Sequence, residues 1–166
     1  MSERPVYVLD ANMFIEAAQR YYAFDLAPGF WQALLDHARD GRIQSIDRVK
    51  DEIEQGDDEL KDWVKSDSHQ WFASTDQADV IEAYRAIMGW ILSSSQFLEA
   101  AKAEFARGAD GWLVAYAMAK GYVVVTHEQY SRDVKSRIPI PNVCQEFGVT
   151  YVNTFVMLRD LGVKLL

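Results

Sequence analysis

The stretch YVLDANMFIE (residues 7–16) runs an apolar strand pattern straight into Asp10, and a helical pattern begins directly after it. Glu128 lies just past YVVVT (122–126), the clearest strand signal in the chain. Asp110 opens the alanine-rich helix that feeds that strand. A helix of about ten residues spans ~15 Å and a five-residue strand about as much. Helix, turn and strand from 110 to 128 therefore return their two ends to one place, which brings Asp110 and Glu128 together. In an open α/β sheet, ligands bind beyond the carboxyl ends of the strands, where the strand order reverses. Carboxylates gathered there repel one another and raise each other's pKa, a conflict that a bound cation removes. Oxygen-only donors suit hard ions such as Mg²⁺ or Mn²⁺ rather than zinc. Such ions hold a phosphate, activate a bound water and stabilise a leaving oxygen. The chemistry to expect is phosphoryl transfer on a phosphodiester.

The elements that must position these acids follow from hydrophobic periodicity. Val6–Leu9 reads as a short buried strand, and Ala11–Arg20 as a helix capped by Asp10 or Asn12. Phe30–Arg39 is helical and Gly41 ends it. IQSI (43–46) is a short strand or extended link, and Asp47 is expected to cap a helix running through Val49 and Ile53. A helix over 58–65 and a strand within HQWFAS (69–74) come next. Asp76 or Asp79 starts an amphipathic helix with Val80, Tyr84, Ile87 and Ile91 on one face. SSS (93–95) breaks it, and a further helix covers 96–106. Ala109–Lys120 is helical with Gly121 as its stop. Pro139 and Pro141 bound a loop, a short helix leads to Gly148, VTYVN (149–153) is another strand, and Thr154–Leu161 a last helix. Short apolar strands separated by helices indicate an α/β fold with a mostly parallel central sheet covered on both faces. Residues 1–166 read as a single domain, with no repeat or long linker.

The motifs VLDANMFIE (8–16), VKDEI (49–53) and GADGWLVAYAMAKGYVVVTHE (108–128) resemble those of PIN-domain nucleases. The resemblance covers nearly the whole chain. It implies a PIN-like three-layer fold and a metal-dependent endoribonuclease. Asp10 matches the first acid of the family pattern, Glu52 the helix Glu, Asp110 the third acid and Glu128 the fourth. All four are implied as catalytic and as ligands of Mg²⁺ or Mn²⁺, with Asn12 and Thr126 orienting those ligands. Val49, Glu52 and Ile53 share a helix face, which puts Glu52 near the buried side. Two features depart from the common pattern. Position 128 more often holds Asp or Asn, and the segment 58–100 is longer than in the smallest toxin-type members. That length, together with IPIPNVCQEFGV (138–149), resembles a PIN-like bacterial branch of no assigned role. Small members act as toxins paired with an antitoxin, so the resemblance implies an RNA substrate, a cognate antitoxin and a homodimer.

Bulk properties bound these readings. At 166 residues, 49% hydrophobic and 25% charged, the chain has the balance of an ordinary globular protein. No apolar run approaches the ~20 residues of a membrane helix, and MSERPVYVLD has no signal-type apolar core. Cys144 is the lone cysteine, which suits a reducing cytoplasm. The net charge of −8 argues against general nucleic-acid binding. The charge is uneven, however: residues 100–166 hold six acids and eight bases, and local patches steer ligands more than totals do.

Each feature also has a plainer meaning. Asp10 could only cap a helix, Asp110 could only favour the helix macrodipole, Glu128 could be a loop acid, and Glu52 could sit on a solvated face. Arg132, Lys135 and Arg137 could hold RNA phosphates or be solvated. Trp112 could stack on a base, although core packing is the plainer reading. His37, His69 and His127 make no ligand spacing and read as structural or surface residues. The competing functions are a catalytically inert PIN-like binding module and a phosphatase of the haloacid-dehalogenase kind. The phosphatase needs a second Asp two residues after the first, where this chain has Asn12.

Overall fold

The computed structural model describes residues 4–56, 59–66 and 71–165. Strand β1 (Tyr7–Leu9) leads into helix α1 (Ala11–Glu16), which continues as one π-helical stretch, Ala17–Tyr21. Then follow α2 (Pro28–Arg39), β2 (Ile43–Ile46), α3 (Asp47–Glu54), α4 (Glu59–Ser66) and β3 (Phe72–Ala73). The second half holds α5 (Ala78–Ser93), α6 (Glu99–Arg107), α7 (Asp110–Lys120), β4 (Val123–Val125), α8 (Ile140–Phe147), β5 (Tyr151–Val152) and α9 (Thr154–Asp160).

The five strands lie in the order β3-β2-β1-β4-β5, and every pairing is parallel. Parallel neighbours need crossovers, and the helices supply them. The chain moves outward on one side from β1 to β2 to β3, then crosses through α5, α6 and α7 to β4 on the other side of β1. The order therefore reverses between β1 and β4, and a crevice opens at their carboxyl ends. Helix contacts fall into two sets: α1 with α3 and α3 with α4, and α5 with α6 and α7 and α7 with α8. This is the α/β layering that the hydrophobic pattern implied.

The strands are short, and the central pair, β1 and β4, is apolar throughout. Tyr7, Val8, Leu9, Val124 and Val125 are all buried, as strands covered on both faces must be. Trp31 and Trp63 pack edge to face at 4.9 Å, and Phe24 stacks on Trp31 at 4.2 Å. Gly121 (φ 74°) ends α7 and turns the chain at once into β4, and Gly148 (φ 67°) does the same between α8 and β5. Both need the left-handed backbone that glycine adopts without a Cβ clash. Helix α7 lies unusually close to its neighbours. A Cβ built on Gly111 would stand 2.8 Å from the Phe105 ring and 3.1 Å from the Tyr84 ring. Overpacking of this kind outweighs the helix propensity gained with alanine. Gly111→Ala is expected to lower unfolding stability by about 1 kcal/mol in urea titration.

Two expectations change. Asp47 does not cap α3; it is the first helical residue, and its carboxylate instead accepts from Thr75 N–H (3.1 Å) and Thr75 Oγ1 (2.9 Å). A partner 28 residues away outcompetes the local cap. Pro141 does not bound a loop but sits in the first turn of α8, where a missing N–H costs nothing. The amphipathic helix starts at Ala78, after Gln77, with Asp79 in its first turn paired to Lys120 at 3.0 Å. Of HQWFAS, residues 69 and 70 lie outside the described residues, and the strand is Phe72–Ala73.

Candidate functional site

The sheet register sets the centre of the site. Leu9 is paired with Val125, so the next residues, Asp10 and Thr126, are neighbours just beyond the strand ends. Asp10 donates its N–H to Val125 O at 3.1 Å. Its side chain accepts from Thr126 Oγ1 at 3.1 Å and, at 3.4 Å, from the N–H of Asn12, so it caps α1 as well. Asp10 is 1% exposed. Thr126 Oγ1 also accepts from the N–H of Glu128 (3.1 Å), which turns that residue back over the crevice. One Glu128 oxygen accepts from Ile140 N–H at 3.3 Å, and the other is buried without a partner.

The remaining acids arrive from helices. Glu52 on α3 accepts from the N–H of Ala109 (2.9 Å), the residue just before α7, and this clamps α3 to the helix that carries Asp110. A cleft of about 250 Å³ is lined by Asn12, Glu52, Glu104, Asp110, Glu128 and Arg137, among others. Burial, then the Asp110 and Glu128 charges, hold the Asp10 carboxyl well above its ordinary range. Burial and the charges of Glu128, Glu52 and Glu104 push Asp110 up to about 7. Burial raises Glu128 too, against the Ile140 hydrogen bond and the Arg137 charge. Glu52, Asp110 and Glu128 thus line one cleft at the β1/β4 switch point from three separate elements, and Asp10, buried at the end of β1 and not itself on the lining, lies close enough to interact with the charges of Asp110 and Glu128. Thr126 touches Asp10 directly, and Asn12 lines the mouth.

The fold now has solved counterparts. FitAcB from Neisseria gonorrhoeae is similar over 90% of this chain and 99% of that one, at 14% identity and a TM-score of 0.56. VapBC2 from Rickettsia felis, solved with a DNA fragment from its promoter, is similar over 89% of this chain and 98% of that one, at 12% identity and a TM-score of 0.52. At such identities the likeness is one of fold, and that fold is PIN-like. A comparison with curated proteins gave no match. The family model described as a domain of unknown function, DUF4411, matches residues 7–165. The chain belongs to the DUF4411 family.

In this DUF4411 protein, two cleft residues escaped or only half-emerged from the sequence. Glu104, on α6, lines the cleft and adds to the charge on Asp110. Its one signal was an acid a turn before GAD on the preceding helix. Of the three cations weighed for phosphate binding, Arg137 lines the cleft, and Arg132 and Lys135 do not. The segment between β4 and α8 brings Arg137 there. Asn142 holds Ser131 by two hydrogen bonds, Gln96 Nε2 donates to Arg132 O and Val134 O, and Leu98 N–H donates to Lys135 O. Trp112 is stacked on Tyr84 at 3.7 Å and lies under Arg48 at 4.0 Å, outside the cleft. His37 sits in the last turn of α2, and His127 bonds Thr154 Oγ1 at 2.8 Å. His69 lies outside the described residues.

The donor set fits a hard divalent ion. All candidate donors are carboxylate oxygens, and a buried Glu128 oxygen has no other partner. Among the described residues no three His, Cys, Asp or Glu side chains already stand in metal-ligand geometry, and Glu52 is turned onto Ala109 N–H. Also among the described residues, no helix is long and apolar enough to cross a membrane.

Proposed function

We propose that this chain, acting as one domain, is a Mg²⁺- or Mn²⁺-dependent endoribonuclease of the cytoplasm and the toxin of a toxin–antitoxin pair. The observation that carries the reading is the gathering of Asp10, Glu52, Asp110 and Glu128 at the β1/β4 crevice, where burial and, after it, mutual repulsion raise the pKa of Asp10 and Asp110. Buried acids that perturb one another mark functional sites more often than scaffolds. A bound ion would supply charge to the phosphate and lower the pKa of a water. The four acids would hold it. Thr126 fixes the Asp10 carboxylate, and Ile140 N–H fixes Glu128, so these donors are restrained before any ligand arrives. Arg137, the cation on the cleft wall, would pair with a phosphate oxygen.

The toxin assignment is supported by the motif resemblance and by the fold shared with VapBC2. An antitoxin would cover the acidic cleft, and a homodimer is the expected assembly of the toxin. A second reading, an inert PIN-like binding module, draws on the hold that Ala109 N–H has on Glu52. Calorimetry separates the two. Mn²⁺ should bind the wild-type protein and not Asp10→Asn, and the same pair should differ in cleaving single-stranded RNA. Absence of both binding and cleavage in the wild type would leave the inert module. A finer check uses Thr126. Thr126→Val deletes the hydroxyl that donates to Asp10 and should weaken Mn²⁺ binding about tenfold or more, whereas Thr126→Ser should retain it.

A further inference from the structure

A second cavity, of about 490 Å³, opens beyond the carboxyl ends of β4 and β5. Thr126 and Glu128 line it, and Glu128 also lines the acidic cleft. One residue therefore borders both spaces, so the two lie side by side at the sheet edge. Pockets for small organic groups run to roughly 300–1,000 Å³. The second cavity lies in that range, while the cleft of about 250 Å³ is better matched to a phosphate group.

The walls suit a base. Tyr130 is 45% exposed and has no ring partner among the described residues. Tyr151 is fixed by a hydrogen bond from Gln145 Nε2 to its hydroxyl at 3.0 Å. Asn153 spends its Oδ1 on the N–H of Val156 (2.9 Å), so its NH₂ group remains to donate. His127 lines the cavity too and carries the exposed rings of Tyr21 and Phe155 at 6.1 and 6.3 Å. Exposed aromatic side chains next to a phosphate site are how proteins hold single strands without relying on sequence. A chain of net charge −8 also gains little from general attraction to phosphates, which leaves stacking as the larger source of affinity.

We propose that this cavity is a nucleobase subsite for single-stranded RNA. Tyr130 stacks on the base beside the phosphate in the cleft, and Asn153 donates to that base's edge. The proposal rests on the reading of the cleft as a phosphodiester site. The probe is a short single-stranded RNA carrying 2-aminopurine, mixed with the Mn²⁺-loaded protein and read at once on mixing, before cleavage accumulates. Wild-type protein should quench the fluorophore. Tyr130→Ala should bind about tenfold more weakly, and Tyr130→Phe should bind like wild type. A thermal melt of each variant controls for folding. Equal RNA affinity in wild type and Tyr130→Ala, or no binding by wild type, overturns the subsite and leaves the cavity to a protein segment. Cleavage in Mn²⁺ is scored separately. Tyr130-dependent binding without cleavage keeps the subsite and removes the nuclease. Cleavage whose KM ignores Tyr130→Ala keeps the nuclease and removes the subsite.

Discussion

Asp110→Asn is expected to lower metal-dependent RNA cleavage by at least about 10²–10³-fold, the usual cost of removing a charged group that acts on the transition state. The same substitution should leave the fold intact and make it firmer. Asparagine keeps the shape of the side chain at the first position of α7. It removes a charge that Glu128, Glu52 and Glu104 all oppose. It also relieves Asp10, whose carboxyl is held high in part by Asp110. A gain of about 1–2 kcal/mol near neutral pH is expected from urea titration, since each pKa unit is worth about 1.4 kcal/mol. Loss of activity with a gain of stability is the signature of a functional acid held at the expense of the fold. An unfolded variant, or one that cleaves at the wild-type rate, would sink the site assignment.

The second large effect is on stability against pH. Asp10, Asp110 and Glu128 all have pKa values raised in the folded chain. A raised carboxylate keeps its proton in the folded state after the unfolded chain has lost it. The folded state therefore binds more protons between the unfolded value near 4 and the folded value, and stability falls as pH rises through that window. For Asp110 the window runs from 3.8 to about 7, which corresponds to on the order of 4 kcal/mol. Without divalent ions the protein should unfold at lower urea at pH 7.5 than at pH 5.5. Mn²⁺ should restore most of the difference at pH 7.5, because it binds the charged carboxylates and displaces their protons. Asp110→Asn should flatten the pH dependence. A wild-type protein that is firmer at pH 7.5 than at pH 5.5 in EDTA would contradict the clustering of these acids.

Arg137 and Tyr130 mark where the sequence stopped being informative. Nothing in the spacing of residues 129–137 distinguishes a cleft-lining arginine from a solvated one. Its place depends on hydrogen bonds from Gln96, Leu98 and Asn142, which come from two other parts of the chain. The aromatic cavity is equally non-local, since it joins the loop after β4 to the end of β5. Asp47 shows the same limit: its local sequence favours a cap, and a distant Thr75 claims it. Glu104 lay one turn from a recognised motif, yet only the packing of α6 against α7 turns it to the cleft.

What the sequence by itself determined was local and directional. Apolar runs ended by Asp10 and Glu128, and a helix opened by Asp110, define strand and helix ends because periodicity and chain dimensions depend on neighbouring residues alone. Span arithmetic was enough to bring Asp110 and Glu128 to one edge. The tertiary structure alone decided that β1 and β4 are neighbours in register, so that Thr126 donates to Asp10. It alone turned Glu52 onto the N–H that precedes α7. Strand order and side-chain hydrogen bonds between distant segments follow from the packing of the whole core, which no single stretch of residues encodes.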